Sequence, residues 1–213
     1  MNQITTNSTS NYGTSFTDLL EAKFHIGHLA SRSHPKMKGY ILGSRNHHSI
    51  FDLKHTWEFL QISLRFIEKI WRNPENKILF VSINSPGSQY LSRLAEEGGQ
   101  PVLTKFWLPG SLTSKQKEEL GLTPNLVNVV EDFESRQTKG ERICAIFVLD
   151  NDPYFCRNLY KEANILGLPV ISVVNTNFDP SLVSYPIPGN NRAISVYAYL
   201  SKVLLNLLQR TQK

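Results

Sequence analysis

Three apolar runs, each about as long as one β-strand, alternate with longer stretches whose apolar residues recur at helical spacing. The runs lie at residues 77–83, 143–149 and 169–174. A continuous apolar run is typical of a strand that is covered on both faces, as in a parallel sheet. Strands that alternate with helices are joined by right-handed crossovers. The sequence therefore predicts an α/β fold, in which helices flank a mainly parallel sheet on both faces in a Rossmann-like or flavodoxin-like three-layer arrangement.

The longest helical pattern follows Lys54, where apolar residues recur every three to four positions as far as Trp71. This spacing predicts a helix of four to five turns that buries one stripe, and Asn73-Pro74 ends it. Thr17 is expected to cap a short helix. The other predicted elements are helices at 17–21, 88–97, 153–166 and 191–209, and strands at 40–42, 49–53, 101–105 and 184–187, with a turn at 43–47.

The length of 213 residues, of which 40% are apolar, is sufficient for one compact domain with a substantial core. Residues 1–14 carry no charge and are rich in Asn, Ser and Thr, which is typical neither of a secretory signal nor of an arginine-rich transit peptide. We therefore expect a disordered N-terminal tail over residues 1–16 and a single domain over residues 17–213. Within that domain, residues 107–142 have the least regular pattern and contain Pro109, Gly110, Gly121, Pro124 and Gly140, so residues 114–142 are expected to be irregular.

Residues 22–51, here called the basic segment, contain no carboxylate. They carry five Lys and Arg residues and five of the six histidines, in a chain whose net charge is only +5. A positive surface of this kind attracts phosphate, because each neutralised phosphate releases condensed counterions. A basic face that is merely solvated is more often mixed with Asp and Glu. The charge pattern therefore favours contact with RNA or DNA.

We predict that the positively charged Arg32, Lys36, Lys38 and Arg45 contact phosphate. The two arginines have an advantage, since a guanidinium group can clamp phosphate with two hydrogen bonds. Four histidines, at positions 25, 28, 34 and 47, are expected to add hydrogen-bond donors, and Tyr40 either stacks on an unpaired base or belongs to the core. The complete predicted nucleic-acid site comprises Lys23, His25, His28, Arg32, His34, Lys36, Lys38, Tyr40, Arg45, Asn46 and His47.

An alternative is a nucleotide- or cofactor-binding α/β enzyme, because ligands of parallel sheets usually bind at the loops after the strands. The loops at 84–88, 150–153 and 175–180 lack a complete phosphate-binding motif. Asp150, Asp152 and Asp179 could converge on a metal or act in acid–base chemistry, but Asp152 suits a helix cap and Asp179 a turn. His25 and His28 could share a zinc ion on a helix, which Gly27 disfavours. We expect no catalytic residue, no metal and no cofactor; a scaffold that contacts proteins is a third possibility.

Several motifs resemble those of the small-subunit ribosomal protein two (S-two) family, of the bacterial and organellar type. They include L-L-E-A-K-F-H-I-G-H at 19–28, P-K-M-K-G-Y-I-L-G-S-R-N at 35–46, S-I-F-D-L-K-H-T at 49–56 and F-W-L-P-G-S-L-T at 106–113. A-I-F-V-L-D, N-T-N-F-D-P and Y-P-I-P-G-N-N-R-A-I follow in the same order. The resemblance runs from about residue 17 to 210, and so many collinear motifs make it specific.

The resemblance implies a structural protein of the small ribosomal subunit that binds ribosomal RNA and contacts neighbouring small-subunit proteins, with no membrane and no small-molecule substrate. This chain departs from the family at two places. The helical hairpin that relatives insert after the tract equivalent to 106–113 is largely absent, and the irregular residues 114–142 take its place. In addition, Asn175 stands where the family usually has Asp, and Asn191 and Arg192 replace a usual Asp-Asp pair.

The shortened insertion and the divergent loops resemble a mitochondrial member of the family more than a bacterial or plastid one. We therefore expect the mitochondrial small ribosomal subunit as the location, with the plastid and the bacterial cytoplasm as alternatives. The N-terminal residues do not resemble a targeting peptide, which would suit a gene carried by the organelle itself.

Overall fold

The structure is a computed structural model that describes residues 12–82, 85–104, 107, 142–152 and 156–211. The helices are α1 (Phe16–Glu21), α2 (Leu53–Trp71), α3 (Ser85–Gly98), α4 (Arg157–Ile165) and α5 (Ile194–Thr211). The strands are β1 (Ile26–Leu29), β2 (Ile41–Arg45), β3 (His48–Phe51), β4 (Asn76–Val81), β5 (Val102–Leu103), β6 (Arg142–Val148), β7 (Val170–Val174) and β8 (Tyr185–Pro188).

The larger sheet has five strands in the order β5-β4-β6-β7-β8, and every neighbouring pair is parallel. Strand residues alternate between the two faces, since Ile78 and Phe80 pack in one core and Leu79 and Val81 in another. The first core is closed by α1, α2, α3 and α5, and the second by α4. The predicted three-layer α/β fold is confirmed.

Helix α2 confirms the longest helical pattern. Leu60, Leu64, Ile67 and Trp71 are buried along one stripe, and Trp57 packs at its edge. The side chain of Asp52 accepts a hydrogen bond from the Lys54 N–H at 2.9 Å and so satisfies one of the free amides at the start of the helix. The helix therefore begins one residue earlier than the periodicity indicated.

The basic segment forms a second, antiparallel sheet in the order β1-β3-β2, to which the sequence patterns assigned only two strands. The predicted turn at 43–47 was too long. It consists of Asn46 and His47 alone, both at positive φ (49° and 62°), as a two-residue type I′ hairpin requires. Gly43 is paired with Ile50 inside the hairpin, so β2 extends to Arg45. Short strands with exposed faces give little hydrophobic signal, which is why β1 was missed.

The start of the domain also differs from the prediction. Ser15, not Thr17, caps α1: its side chain accepts from the Asp18 N–H while the Asp18 carboxylate accepts from the Ser15 N–H. Upstream, the Tyr12 hydroxyl donates to Glu68 at 2.6 Å, and the buried Thr14 accepts from Gln61 at 2.6 Å. The packed part of the chain thus includes residues 12–16, which the predicted tail contained; residues 1–11 lie outside the described residues.

Two further expectations have different outcomes. Asp179 begins the turn as predicted, because its side chain accepts from the Ser181 N–H at the start of a 3₁₀ helix, Pro180–Leu182. Asp152 does not cap α4; Cys156 occupies that position, and its N–H is bonded to the Asp152 carbonyl instead. The irregular region at 114–142 lies outside the described residues except for Arg142, which begins β6.

Candidate nucleic-acid interface

A short 3₁₀ helix, Pro35–Tyr40, fixes the centre of the basic segment. Met37 is fully buried in the second core, whereas the flanking Lys36 and Lys38 are exposed. The imidazole Nδ1 of His34 accepts a hydrogen bond from the Lys36 N–H at 3.3 Å and caps this helix. An accepting Nδ1 leaves the ring proton on Nε2, which remains able to donate to a ligand. One buried methionine therefore presents two lysines to solvent.

The tip of the β2–β3 hairpin exposes Arg45, Asn46 and His47 side by side. Arg32 is exposed in a 3₁₀ helix, Ala30–Arg32, and Lys23 is exposed just after α1. Within the described part of the chain, Lys23, Arg32, Lys38 and Arg45 form no ion pair. These four predicted contacts therefore carry charge that no described carboxylate neutralises.

Lys36 differs from its neighbours because it is already paired. Its ammonium donates to both carboxylate oxygens of Asp179, at 2.8 and 3.1 Å, and to the Ser181 hydroxyl at 2.7 Å. Burial raises the pKa of Asp179, but the hydrogen bonds from Lys36 and Ser181 outweigh it and lower that pKa to about 2. A phosphate would have to compete with Asp179 for Lys36.

His25 and His28 are half-buried, and burial lowers the pKa of each below its usual value. For His28, the positive charges of Arg192 and Arg32 and the neighbouring His48 lower the pKa further. Both imidazoles are therefore neutral at pH 7 and can act as hydrogen-bond donors but not as cations. The Nδ1 atom of His25 is buried and has no hydrogen-bond partner among the residues that the structure describes.

Tyr40 is half-buried and packs edge-on against His55 and Phe59, with ring centroids 6.0 and 5.6 Å apart. It also contacts the second core. Of the two roles that the sequence left open for Tyr40, packing is the one for which the structure supplies contacts.

The basic segment packs against the end of the parallel sheet at which the carboxyl ends of the strands lie. The His34 N–H donates to the Thr176 carbonyl at 2.7 Å, and the His28 N–H to the Thr176 hydroxyl at 3.1 Å. Gly27 is required there, because a Cβ at this residue would lie 2.7 Å from the Thr176 methyl group. The loop after β7 therefore fixes the position of His28 and His34.

The side-chain amides of two buried asparagines, Asn175 and Asn191, join the loops after β6, β7 and β8. Asn175 Nδ2 donates to Asn191 Oδ1 at 2.9 Å, and Asn191 Nδ2 donates to the Asn151 carbonyl at 2.7 Å. The Tyr197 hydroxyl donates to the Asn191 carbonyl. Two carboxylates facing each other at the Asn175 and Asn191 positions would repel, whereas two amides can donate and accept. The pair is thus held together by hydrogen bonds alone.

Asp150, Asp152 and Asp179 do not converge. Asp150 and Asp152 line a pocket of about 330 Å³ with Arg192, whereas Asp179 lies on a separate groove beside His34. In the described ranges no group of three or more His, Cys, Asp or Glu residues could hold a metal ion. Burial raises the pKa of Cys156 to about 12, so its thiol is protonated at neutral pH. The 84–88 loop lies partly outside the described residues.

Two residues outside the predicted site lie at this surface: His48 and Arg192. His48 is exposed next to the hairpin turn, with its Nδ1 3.3 Å from the Gly27 carbonyl oxygen. Arg192 comes from the loop after β8, and its charge acts on His28. His48 could have been included from its place in the basic segment. Arg192 could not, because 140 or more residues separate it from that segment.

None of the helices described here is both long and apolar enough to cross a bilayer.

Comparison with known proteins supports the same family as the sequence motifs do. The ribosomal protein S2 family model matches residues 19–143 and 114–210. The small ribosomal subunit protein uS2 of Hahella chejuensis is 35% identical over 213 residues, which cover 86% of this chain and 83% of the relative. Those of Marinobacter nauticus and Acinetobacter baylyi are 34% and 32% identical, and cover 92% and 89% of this chain and 88% and 86% of the relatives. The chain therefore belongs to the ribosomal protein S2 family.

Proposed function

We propose that this chain is a structural, non-enzymatic protein of the small ribosomal subunit and that its basic segment binds ribosomal RNA. Membership of the ribosomal protein S2 family supports the ribosomal role and disfavours the enzyme alternative. The observation that carries the RNA contact is the exposure of Lys23, Arg32, Lys38 and Arg45 without a described carboxylate partner.

The physical basis of this contact is the phosphate backbone. Each cation that neutralises a phosphate releases condensed counterions, so the binding constant falls as the salt concentration rises. Arg32 and Arg45 add planar donors that can hold two phosphate oxygens at once. The neutral His25 and His28 contribute hydrogen bonds rather than charge. Binding through this surface is therefore expected to depend strongly on salt and weakly on base sequence.

The proposed partners are small-subunit ribosomal RNA and neighbouring small-subunit proteins. We also propose the mitochondrial small subunit as the location, because the short insertion region and the divergent loops of the sequence resemble a mitochondrial member of the family. The three relatives described above are bacterial, so this location rests on the sequence of the chain alone.

Gradient sedimentation tests both the role and the location. A tagged chain is run from a mitochondrial lysate, and every fraction is probed for small-subunit ribosomal RNA. Co-migration that survives moderate salt supports a stable ribosomal component. A peak at the position of free protein, away from all RNA, contradicts the ribosomal role, while co-migration only in a cytoplasmic or plastid lysate contradicts the location.

Replacement of Lys36, Lys38 and Arg45 by Gln tests the RNA surface. Each lost phosphate contact flattens the slope of log K against log salt by roughly 1. Because Lys36 is partly held by Asp179, we expect the slope to flatten by about 2. The matched control replaces Arg65, Lys69 and Lys202, which are exposed on α2 and α5, by Gln. An equal effect of the two triple variants would exclude the basic segment as the specific contact.

A further inference from the structure

The loop after β8 is fixed against the basic segment. The Asn190 N–H donates to the Phe24 carbonyl at 3.1 Å, and the Gly189 N–H donates to the Val174 carbonyl at 3.0 Å. Gly189 is needed for this approach, because a Cβ there would lie 2.7 Å from the Phe24 ring. Residues from the end of the chain thus share a surface with residues near its start.

A continuous series of hydrogen bonds connects His28 with the residue before Arg192. The His28 N–H donates to the Thr176 hydroxyl, and the Thr176 N–H donates to Asn175 Oδ1 at 2.7 Å. Asn175 then donates to Asn191, whose side chain and carbonyl are both bonded. Asn191 is 4% exposed, whereas Arg192 next to it is exposed. The buried amides therefore direct the neighbouring guanidinium towards solvent.

The charges around Arg192 are of both signs. Arg192 and Arg32 both act on the His28 imidazole, and His48 lies on the same surface. Asp150 and Asp152 line a pocket with Arg192, but Arg192 forms no ion pair with any residue of the described ranges. Arg192 and Arg32 are nevertheless exposed cations on one surface, where a bound phosphate can neutralise charge that no ion pair of the described residues neutralises.

We propose that Arg192 is a phosphate-binding residue that extends the RNA surface of the basic segment onto the loop after β8, with Asn175 and Asn191 as positioning residues. This inference rests on the proposed function. It assigns the RNA contact to two segments that are distant in sequence, so the complete surface exists only in the folded domain. An isolated peptide of residues 22–51 would lack it.

Arg192→Gln tests the proposal in the full chain, with a small-subunit ribosomal RNA transcript as the probe. We expect the affinity at low salt to fall roughly 3- to 10-fold and the salt slope to flatten by about 1. Lys202→Gln is the matched control, because it removes one exposed charge from α5 and should change neither quantity. Arg192→Lys keeps the charge, so it should preserve the slope and lose only part of the affinity.

A double-mutant cycle tests the positioning role. Asn191→Ala should weaken RNA binding in the wild-type background and have no further effect on binding in the Arg192→Gln background. A purely structural role of Asn191 would lower the thermal stability equally in both backgrounds and leave the affinity of the folded protein unchanged.

The outcomes separate this inference from the proposed function. If the wild-type chain binds no ribosomal RNA, both fail. If the wild type binds, the basic-segment triple variant loses affinity and Arg192→Gln behaves like Lys202→Gln, only the assignment of Arg192 is overturned. A lower melting temperature of Arg192→Gln with unchanged RNA affinity also overturns it, since Arg192 would then serve to balance Asp150 and Asp152.

Discussion

The two sheets of this domain use their residues in opposite ways. All five residues of β7 in the parallel sheet are buried, whereas β2 in the antiparallel sheet is exposed from Leu42 to Arg45. The larger sheet therefore supplies the core, and the smaller one displays charged and polar groups. The comparison shows that the candidate RNA-binding surface contributes little to the hydrophobic stability of the fold.

The small sheet nevertheless depends on the large one. Three short strands with exposed faces bury too little surface to fold independently. Met37 and Phe51 of the basic segment are buried in the second core. Hydrogen bonds from His28 and His34 to Thr176 hold the segment against the carboxyl ends of the parallel strands. A rigid sheet thus holds a polar segment in one conformation, which lowers the entropy cost of binding RNA.

The largest contrast is expected from one apolar truncation in each sheet. Phe147 is 1% exposed and packs against Phe80, so Phe147→Ala should cost about 3–5 kcal/mol of unfolding free energy. Leu42 is 75% exposed, and Leu42→Ala should stay within about 0.5 kcal/mol. Urea denaturation measures both. A large loss for Leu42→Ala would show that the outer face of the small sheet is covered in the free protein.

An intermediate effect on the free energy of unfolding is expected in the loop after β7, which lies against the basic segment. Asn175→Asp removes the donor to Asn191 and buries a charge, which should cost about 1–3 kcal/mol at pH 7. Burial raises the pKa of such a carboxyl above its unfolded value, so the destabilisation should grow as the pH rises from 4 to 7. Thermal melts across this range, with the exposed Asn206→Asp as the control, measure it. A pH-independent loss would contradict the buried-charge explanation.

The smallest effect on the free energy of unfolding is expected from the partly exposed ion pair between Lys36 and Asp179. The pKa of Asp179 is lowered to about 2, so its stabilising contribution is complete above its usual pKa and is lost as the pH falls towards 2. Because the pair is partly exposed and screened, the contribution should not exceed about 1 kcal/mol. Asp179→Asn should remove this acid-dependent part of the unfolding free energy.

The same substitution provides an RNA-binding test. Asp179→Asn releases the Lys36 ammonium while the amide oxygen can still cap the Ser181 N–H. RNA affinity should therefore rise and the salt slope steepen by up to about 1. An affinity that does not change would place Lys36 outside the RNA contact.

The sequence predicted elements most reliably where burial makes apolar residues recur at the spacing of a helix or run continuously along a strand. The stripe along α2 and the continuous apolar run of β4 predicted both elements within two or three residues. The predictions were least reliable where hydrogen bonds decide the boundary. Ser15 and Thr17 are equally plausible caps by residue type, and only the reciprocal bond with Asp18 selects Ser15. In the same way, Asn46 and His47 carry no glycine signal for their two-residue turn.

By itself, the sequence determined the α/β class, the family and the concentration of positive charge in residues 22–51, because hydrophobic period, ordered motifs and charge are all properties of the chain. Only the tertiary structure decided how the cations are used. It paired Lys36 with Asp179 and brought Arg192 close enough for its charge to lower the pKa of His28. The physical reason is that an ion pair or a shared surface depends on separations of a few ångströms in space, which long-range folding sets and local residue patterns do not encode.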